Sequence, residues 1–516
     1  MTTRTWRRTI GTDDRARSVI GVGLGLSILL AGATSAHGQF FNRGPKPVVF
    51  EHAHVLTMTG RELEDAVIIT RGGVIEQVGV GVAIPDDARV IDAGGMTVTP
   101  GLIDVSSVLG LASPSSNSPV HYAMDAFDPF DMNTFRDAVR NGVTTVYLSP
   151  GGGVGVGGRG CVVRFSPRSN GGGAGEAVEG GEALHLDLGS SGGPIGRLHT
   201  YNSVWRTFKD ALDYRESLET YDEELEEYIE KIKERAEKEA KEEAEGSDKK
   251  GKGGNGGMAE VSDDGQRLSL PGDLQEEPPP RRRPRPRPQP EGNGGGGPPA
   301  KENGDGDKKD EEEIKKPSQP RPNPAAEVLL RVIDHELPVR IRADRDADIL
   351  NALQLAHDFD IDIVIEGAAE SHLVADALAE AEVSVVLDPY MERSGYRNDV
   401  YQRRQADLTR VLDEAGVDWV IGSGGRGANQ SRFILFHAQQ ALSHDTDGSL
   451  RALEAVTSDA AAFLGLSDQI GSIGWGRSAD LVLWDGDPRS GSAVVDSVYI
   501  GGRQVYRRTP VPGIGE

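Results

Sequence analysis

Along two stretches of the chain, 98–214 and 325–468, short apolar runs alternate with segments whose apolar residues recur every three to four positions. The runs predict eight strands: Val98–Asp104, Val143–Ser149, Gly160–Phe165, Ala183–Leu188, Val339–Ala343, Ile361–Glu366, Val383–Leu387 and Val417–Gly422. The periodic segments predict amphipathic helices, among them Asp348–Phe359, His372–Glu382 and Tyr401–Ala415. Near-continuous apolar strands alternating with helices belong to a parallel sheet covered on both faces. Eight such units predict an α/β fold, a closed (β/α)8 TIM-type barrel with its chemistry at the carboxyl ends of the strands. Strands three and four have little helix beside them. Residues 39–97 read differently: VVFEHAHVLTM, DAVIITRGGVIEQVG and ARVIDAGGMTV are strands broken by turn signals, with Gly72–Gly73 at a hairpin. Two β segments within 469–516, ADLVLWDGDP and SVYIGGRQVYRR, are expected to rejoin them as a small β-sandwich domain built from both termini.

Between the two halves of the barrel the pattern changes twice. Residues 215–245 carry 14 acids and 6 bases, with Leu218, Tyr221, Leu225, Tyr228 and Ile232 forming one narrow apolar stripe. This is a charged helix, expected to pack one edge on its own domain; a coiled-coil partner is the sharper alternative. Residues 246–324 are Pro-, Gly- and Arg-rich with almost no large apolar side chains, and are expected to be a disordered insert. Within it, Arg281–Pro288 suits an extended polyproline-like chain able to meet a groove or an anionic polymer, although such runs commonly serve as linkers.

Residues 1–38 read as a signal peptide. Arg4, Arg7, Arg8, Arg15 and Arg17 precede an uncharged stretch, 18–36, and small residues then suit cleavage near Ala36 or Gly38. The expected mature protein is exported, periplasmic or secreted, with no stable membrane span after cleavage. The whole chain of 516 residues carries 81 acids against 56 bases, a net charge of −25, which opposes nucleic-acid binding. Its single cysteine, Cys161, excludes an internal disulfide framework and cysteine-rich zinc sites.

Several motifs stand in a recognisable order: Val98-Thr-Pro-Gly-Leu-Ile-Asp104, Gly142-Val-Thr-Thr-Val-Tyr-Leu-Ser-Pro150, Arg340-Ile-Arg-Ala-Asp344, Ala455–Gly465 and, most specific, Ile470-Gly-Ser-Ile-Gly-Trp-Gly-Arg-Ser-Ala-Asp-Leu-Val-Leu-Trp-Asp-Gly-Asp487. Over residues 47–507, the insert apart, the chain resembles the amidohydrolase superfamily, in particular its imidazolonepropionase-like branch. The resemblance implies hydrolysis of carbon–nitrogen bonds other than peptide bonds. It also implies one or two divalent metals held by a His-x-His on strand one, histidines after strands five and six and an aspartate after strand eight. In this sequence those positions fall on Ser106 and Val108, Arg342, Gly367 and Gly424. Valine and glycine offer no side-chain donor and a guanidinium repels a cation. The expectation is therefore a degenerate, metal-free member with no cofactor.

Other residues suit a rebuilt site. His185 on strand four, Asp344 and Glu366 are the catalytic candidates, and zinc or another divalent metal would be the cofactor if they work as a hydrolase. Ser106, Arg342, Asp344, Glu366 and Ser423 are expected to line a ligand pocket at the barrel mouth, where an arginine beside an aspartate suits an anion or a zwitterion. His52 and His54 form a His-x-His in the small β domain, and their spacing places both on one sheet face. Glu366, Glu370 and His372 are a candidate polar cluster. Gly155–Gly160 fits Gly-x-Gly-x-x-Gly but leads into a strand, so it reads as a flexible loop at the mouth. Cys161 reads as buried packing, and Ser106 and Ser107 lack an assignable base. Three functions follow: a catalytically inactive binding or scaffold protein with a small-molecule ligand; a metal-dependent hydrolase with a rebuilt site; or an interaction protein acting on a protein partner through the charged helix and insert.

Overall fold

The computed structural model describes residues 45–112, 117–150, 153–167, 173–178, 180–189, 193–249, 314–389, 407–424, 430–443 and 448–509. The expected signal peptide, the Arg281–Pro288 run and most of the insert lie outside the described residues. No described helix is long and apolar enough to cross a membrane.

Strands β1 (Val48–Leu56), β2 (Glu62–Arg71), β3 (Val74–Val80), β4 (Arg89–Asp92) and β5 (Met96–Pro100) open the chain. β2 and β3 turn at Gly72 and Gly73, whose φ of +62° and +94° suits glycine. After the barrel, β15 (Leu481–Asp485), β16 (Val494–Ile500) and β17 (Arg503–Arg507) extend the same sheet in the order β17-β16-β15-β5-β1-β2-β3, with β4 beside β1. Both ends of the chain therefore build this domain, around Phe50, Ile68, Ile75, Val98, Leu481 and Tyr499. The single strand expected over Val98–Asp104 is divided. β5 ends at Pro100, and Gly101 carries the chain into the barrel at a point where a Cβ would overlap the side chain of Thr144.

The barrel sheet runs β6 (Leu102–Ser107), β7 (Val143–Leu148), β8 (Gly155–Pro167), β10 (Ala183–Asp187), β11 (Val339–Ala343), β12 (Ile363–Gly367), β13 (Val385–Leu387) and β14 (Trp419–Ile421), with β9 (Gly173–Ala177) hairpinned onto β8. Strand three departs from the expectation: β8 is antiparallel to both β7 and β10. The chain between β7 and β8 is too short for the crossover that a parallel neighbour requires, so it returns as a hairpin. Gly155–Gly160 is accordingly the first half of a strand, and the expectation of a flexible loop there is overturned.

Alternation along each strand sorts the side chains. Val339, Ile341, Leu184, Ile363 and Ile365 face the helical layer, where they meet Phe208, Leu329, Leu355 and Leu378. Ile103, Val105, Tyr147, Val162, Ala183, Val364, Val386 and Val420 fill the lumen over Phe463 and Leu464. The charged helix is longer than expected: it begins at Gly193 and runs to Lys249, into the segment read as disordered. The His372–Glu382 helix is shorter, with a 3-10 turn at Ser371–Leu373 followed by a helix at Ala375–Glu380. From Leu218 on, the charged helix belongs to a separate unit, in which Leu218, Tyr221, Leu225 and Tyr228 are half-buried and Ile232 is exposed.

Candidate functional site in the barrel

On β11 the inward positions are both arginines. Arg340 is completely buried, and it is the largest such side chain among the described residues. Its Nη2 donates to the Val105 carbonyl at 2.6 Å and lies 2.6 Å from Glu366 Oε1, while its guanidinium carbon sits 3.9 Å from the centroid of the Tyr147 ring. His185, opposite Arg340 on β10, shares a 3.0 Å hydrogen bond with the Tyr147 hydroxyl through Nε2, and its Nδ1 is 3.8 Å from Glu366 Oε2. Two of the three catalytic candidates, His185 and Glu366, thus meet, beneath the mouth and both buried. Burial holds the His185 imidazole well below its usual range, and the charges of Arg340 and Arg342 push the same way. The Tyr147 phenol is raised by burial, so it stays protonated.

Arg342 stands one inward position nearer the strand ends. Its guanidinium pairs with Asp388, just past β13, and its Nη1 donates to the carbonyl of Gly424 at 3.4 Å. Asp344 is buried beside it, and its carboxylate fills the space a side chain at Gly367 would need: a Cβ built there overlaps Asp344 Oδ1. Gly367 and Gly424 also have φ of +90° and +82°, which disfavours any residue with a Cβ. Among the described residues, no group of three histidine, cysteine or carboxylate ligands converges at this end of the barrel.

The strand-one side is built differently. Asp104 is fully buried and accepts from the backbone N–H of Ser106 (3.1 Å) and Ser423 (2.9 Å) and from the Ser431 hydroxyl (2.6 Å). Ser106 Oγ lies 3.3 Å from Ser149 Oγ, Ser107 Oγ is 2.7 Å from Ser431 Oγ, and the Ser423 hydroxyl donates to the Ser106 carbonyl at 2.9 Å. Burial raises the Asp104 carboxyl above the usual carboxylate range, against the opposing pull of its hydrogen bonds. Val108 is buried.

Sequence reasoning missed Arg340, Tyr147, Asp388, Asp104 and Ser431. The signal for Arg340 was its two-residue spacing from Arg342 on a strand whose other positions are apolar. The Glu366–Glu370–His372 cluster does not form: Glu366 points into the lumen, and Glu370 accepts from the Asp346 backbone N–H at 3.2 Å. His52 and His54 do not share a face either. β1 is irregular on both sides of Ala53 and His52 has φ of +57°, so His52 meets Asp92 while His54 meets Glu62 at 2.6 Å. His54, Glu62 and Glu64 do converge within 4.8 Å, but Arg489 donates to both oxygens of Glu62 at 3.1 and 3.2 Å and supplies the balancing charge. Cys161 is buried, and its thiol is pushed up to about 12 by that burial, which makes a thiolate role untenable.

Comparison with known proteins places this architecture. Residues 342–505 match the amidohydrolase family model, and the motifs lie on one continuous barrel with a sheet domain made from both termini. Over that segment the chain is similar to the amidohydrolase family. A 61-residue stretch is 49% identical to the imidazolonepropionase of Pseudomonas putida and 48% identical to that of Pseudomonas entomophila strain L48. That stretch is 11% of this chain and spans only 15% of the length of each curated relative. The fold is similar to that of an amidohydrolase from Thermotoga maritima MSB8, with a TM-score of 0.62 and 23% identity, covering 89% of this chain and 100% of that one. Metal dependence is usual in this superfamily. Here the barrel carries serine, valine, arginine and glycine at the positions that the resemblance assigns to the metal ligands.

Proposed function

We propose that this amidohydrolase-type chain is an exported, metal-free, catalytically inactive member that acts as a binding or scaffold protein. One observation carries the reading: the Arg342 guanidinium, at the position the resemblance assigns to the strand-five ligand, is already paired with Asp388 and bonded to Gly424, while Asp344 fills the space at Gly367. A divalent cation needs three or four lone-pair donors converging on one point, and a guanidinium offers none. The residues present do not fit the ion, and no reaction step is routed through one. Ser106, Arg342, Asp344 and Ser423 are the residues that would set the chemistry of the ligand end, with Arg342 the one least buried; Glu366, expected among them, lies beneath, against Arg340. A small molecule bearing a carboxylate or a zwitterionic group is the ligand class suited to an arginine flanked by carboxylates.

The second reading, a hydrolase with a rebuilt site, draws support from the meeting of His185 and Glu366. Against it, Arg340 engages Glu366, and Asp344 lies in the layer above.

Elemental analysis of the purified full-length protein tests the proposal. Zinc, manganese and iron should be well below one per chain, and a chelator should leave the unfolding midpoint unchanged. A stoichiometric ion whose removal lowers the midpoint would sink it. Mass spectrometry of the exported protein should find the mature N-terminus just after residues 36–38.

A further inference from the structure

We infer that Arg340 and Arg342 are the resident cations of this barrel and take over the tying of strands that a bound metal would otherwise perform. The inference rests on the proposed loss of the metal and adds what replaced it. Arg340 joins four strands from inside the lumen: it is carried on β11, donates to Val105 of β6, pairs with Glu366 of β12 and stacks over Tyr147 of β7. Arg342 continues the tie to Asp388 beyond β13 and to Gly424 beyond β14.

The surrounding chemistry argues that this is not mere filling. Around Arg340, Tyr147, His185 and Glu366, the lumen is lined by Ile103, Val105, Val162, Ala183, Val364, Val386 and Val420. An apolar side chain at position 340 would match them without the desolvation that a buried ion pair demands. Arg340 retains that cost, and its Nε and Nη1 make no hydrogen bond among the described residues. Their surroundings are aromatic instead, with Phe463 5.5 Å from the guanidinium carbon in addition to Tyr147. A planar, permanently charged fork reaches several strands at once, as an apolar side chain does not.

The test uses the full chain and reads unfolding midpoints and metal content. Arg340→Met should lower the midpoint by about 5 °C or more, because Glu366 is left charged and dry. Arg340→Met combined with Glu366→Met should recover most of that loss. A single variant within about 1 °C of the unaltered protein overturns the inference, as does a double variant no more stable than the single one. Should Arg340→Met prove insoluble, Arg340→Lys serves: it keeps the charge but loses the fork, so a lowered midpoint is expected and an unchanged one overturns the inference. Arg342→His, equilibrated with zinc and then dialysed, should hold no zinc, because Asp344 still fills the space at Gly367. Stoichiometric zinc in that variant alone overturns the inference and leaves the proposed function standing. Stoichiometric metal in the unaltered protein overturns the proposed function itself.

Discussion

The two sides of the barrel end, at and beside the positions that the resemblance assigns to metal ligands, are filled in opposite ways. On the β11–β13 side, guanidinium groups stand against Glu366 and Asp388, so charge is kept and matched. On the β6–β14 side, one carboxylate, Asp104, is wrapped in serine hydroxyls and backbone N–H groups. An ion pair cannot discharge without breaking, because arginine does not deprotonate. A lone buried carboxylate can discharge simply by taking up a proton, and burial moves Asp104 in that direction. One side is therefore fixed by charge, and the other is held by hydrogen bonds that survive neutralisation.

Isosteric neutralisation should separate the two sides most clearly. Glu366→Gln strands Arg340 in the lumen and should cost about 3–5 kcal/mol of unfolding free energy, measured by denaturant titration. A cost below that of Asp104→Asn would break the comparison. A smaller effect is expected from His437, on the helix Ile434–Ala441 that packs against β6 and β14. Its imidazole is buried without a hydrogen-bond partner among the described residues, and burial lowers it from 6.5 to about 4. Stability tied to the neutral ring is complete above 6.5 and is lost as pH falls through 4. His437→Leu should therefore be favoured over the unaltered protein by about 2 kcal/mol at pH 5 and by little at pH 8, as read from urea midpoints. The smallest effect should come from Asp104→Asn, about 1 kcal/mol at neutral pH. Because the folded carboxyl is raised, its contribution is greatest below the unfolded value and falls as pH rises through the folded one. Acidification should thus widen the gap in favour of the unaltered protein; a gap that narrows would show Asp104 to be held ionised.

Most of the fold was legible because it is written in periodicity. β11 was located to the residue, and both termini were recognised as one β domain from their turn signals. The direction of strand three was not, since an apolar run of strand length carries no sign; only the scarcity of residues between β7 and β8 pointed to a hairpin. The His52–His54 pairing failed for a related reason, because a bulge changes which face a side chain takes and local sequence does not announce it. At the barrel end, the residues that fill the space were not legible. Tyr147 meets Arg340 and Asp388 meets Arg342 from elements far apart in sequence, and Asp388 lies on a loop whose reach no periodicity specifies.

The reversal of β8 decides where new sequence can be added. Arg164, near its far end, forks onto Asp480 with two 2.6 Å contacts and bonds Ser478, so this hairpin rivets the barrel to the terminal sheet. Extra residues spliced between β8 and β9 would emerge beside that rivet, away from the arginine cluster. A tag or reporter inserted there should load the junction between the two domains and spare ligand access.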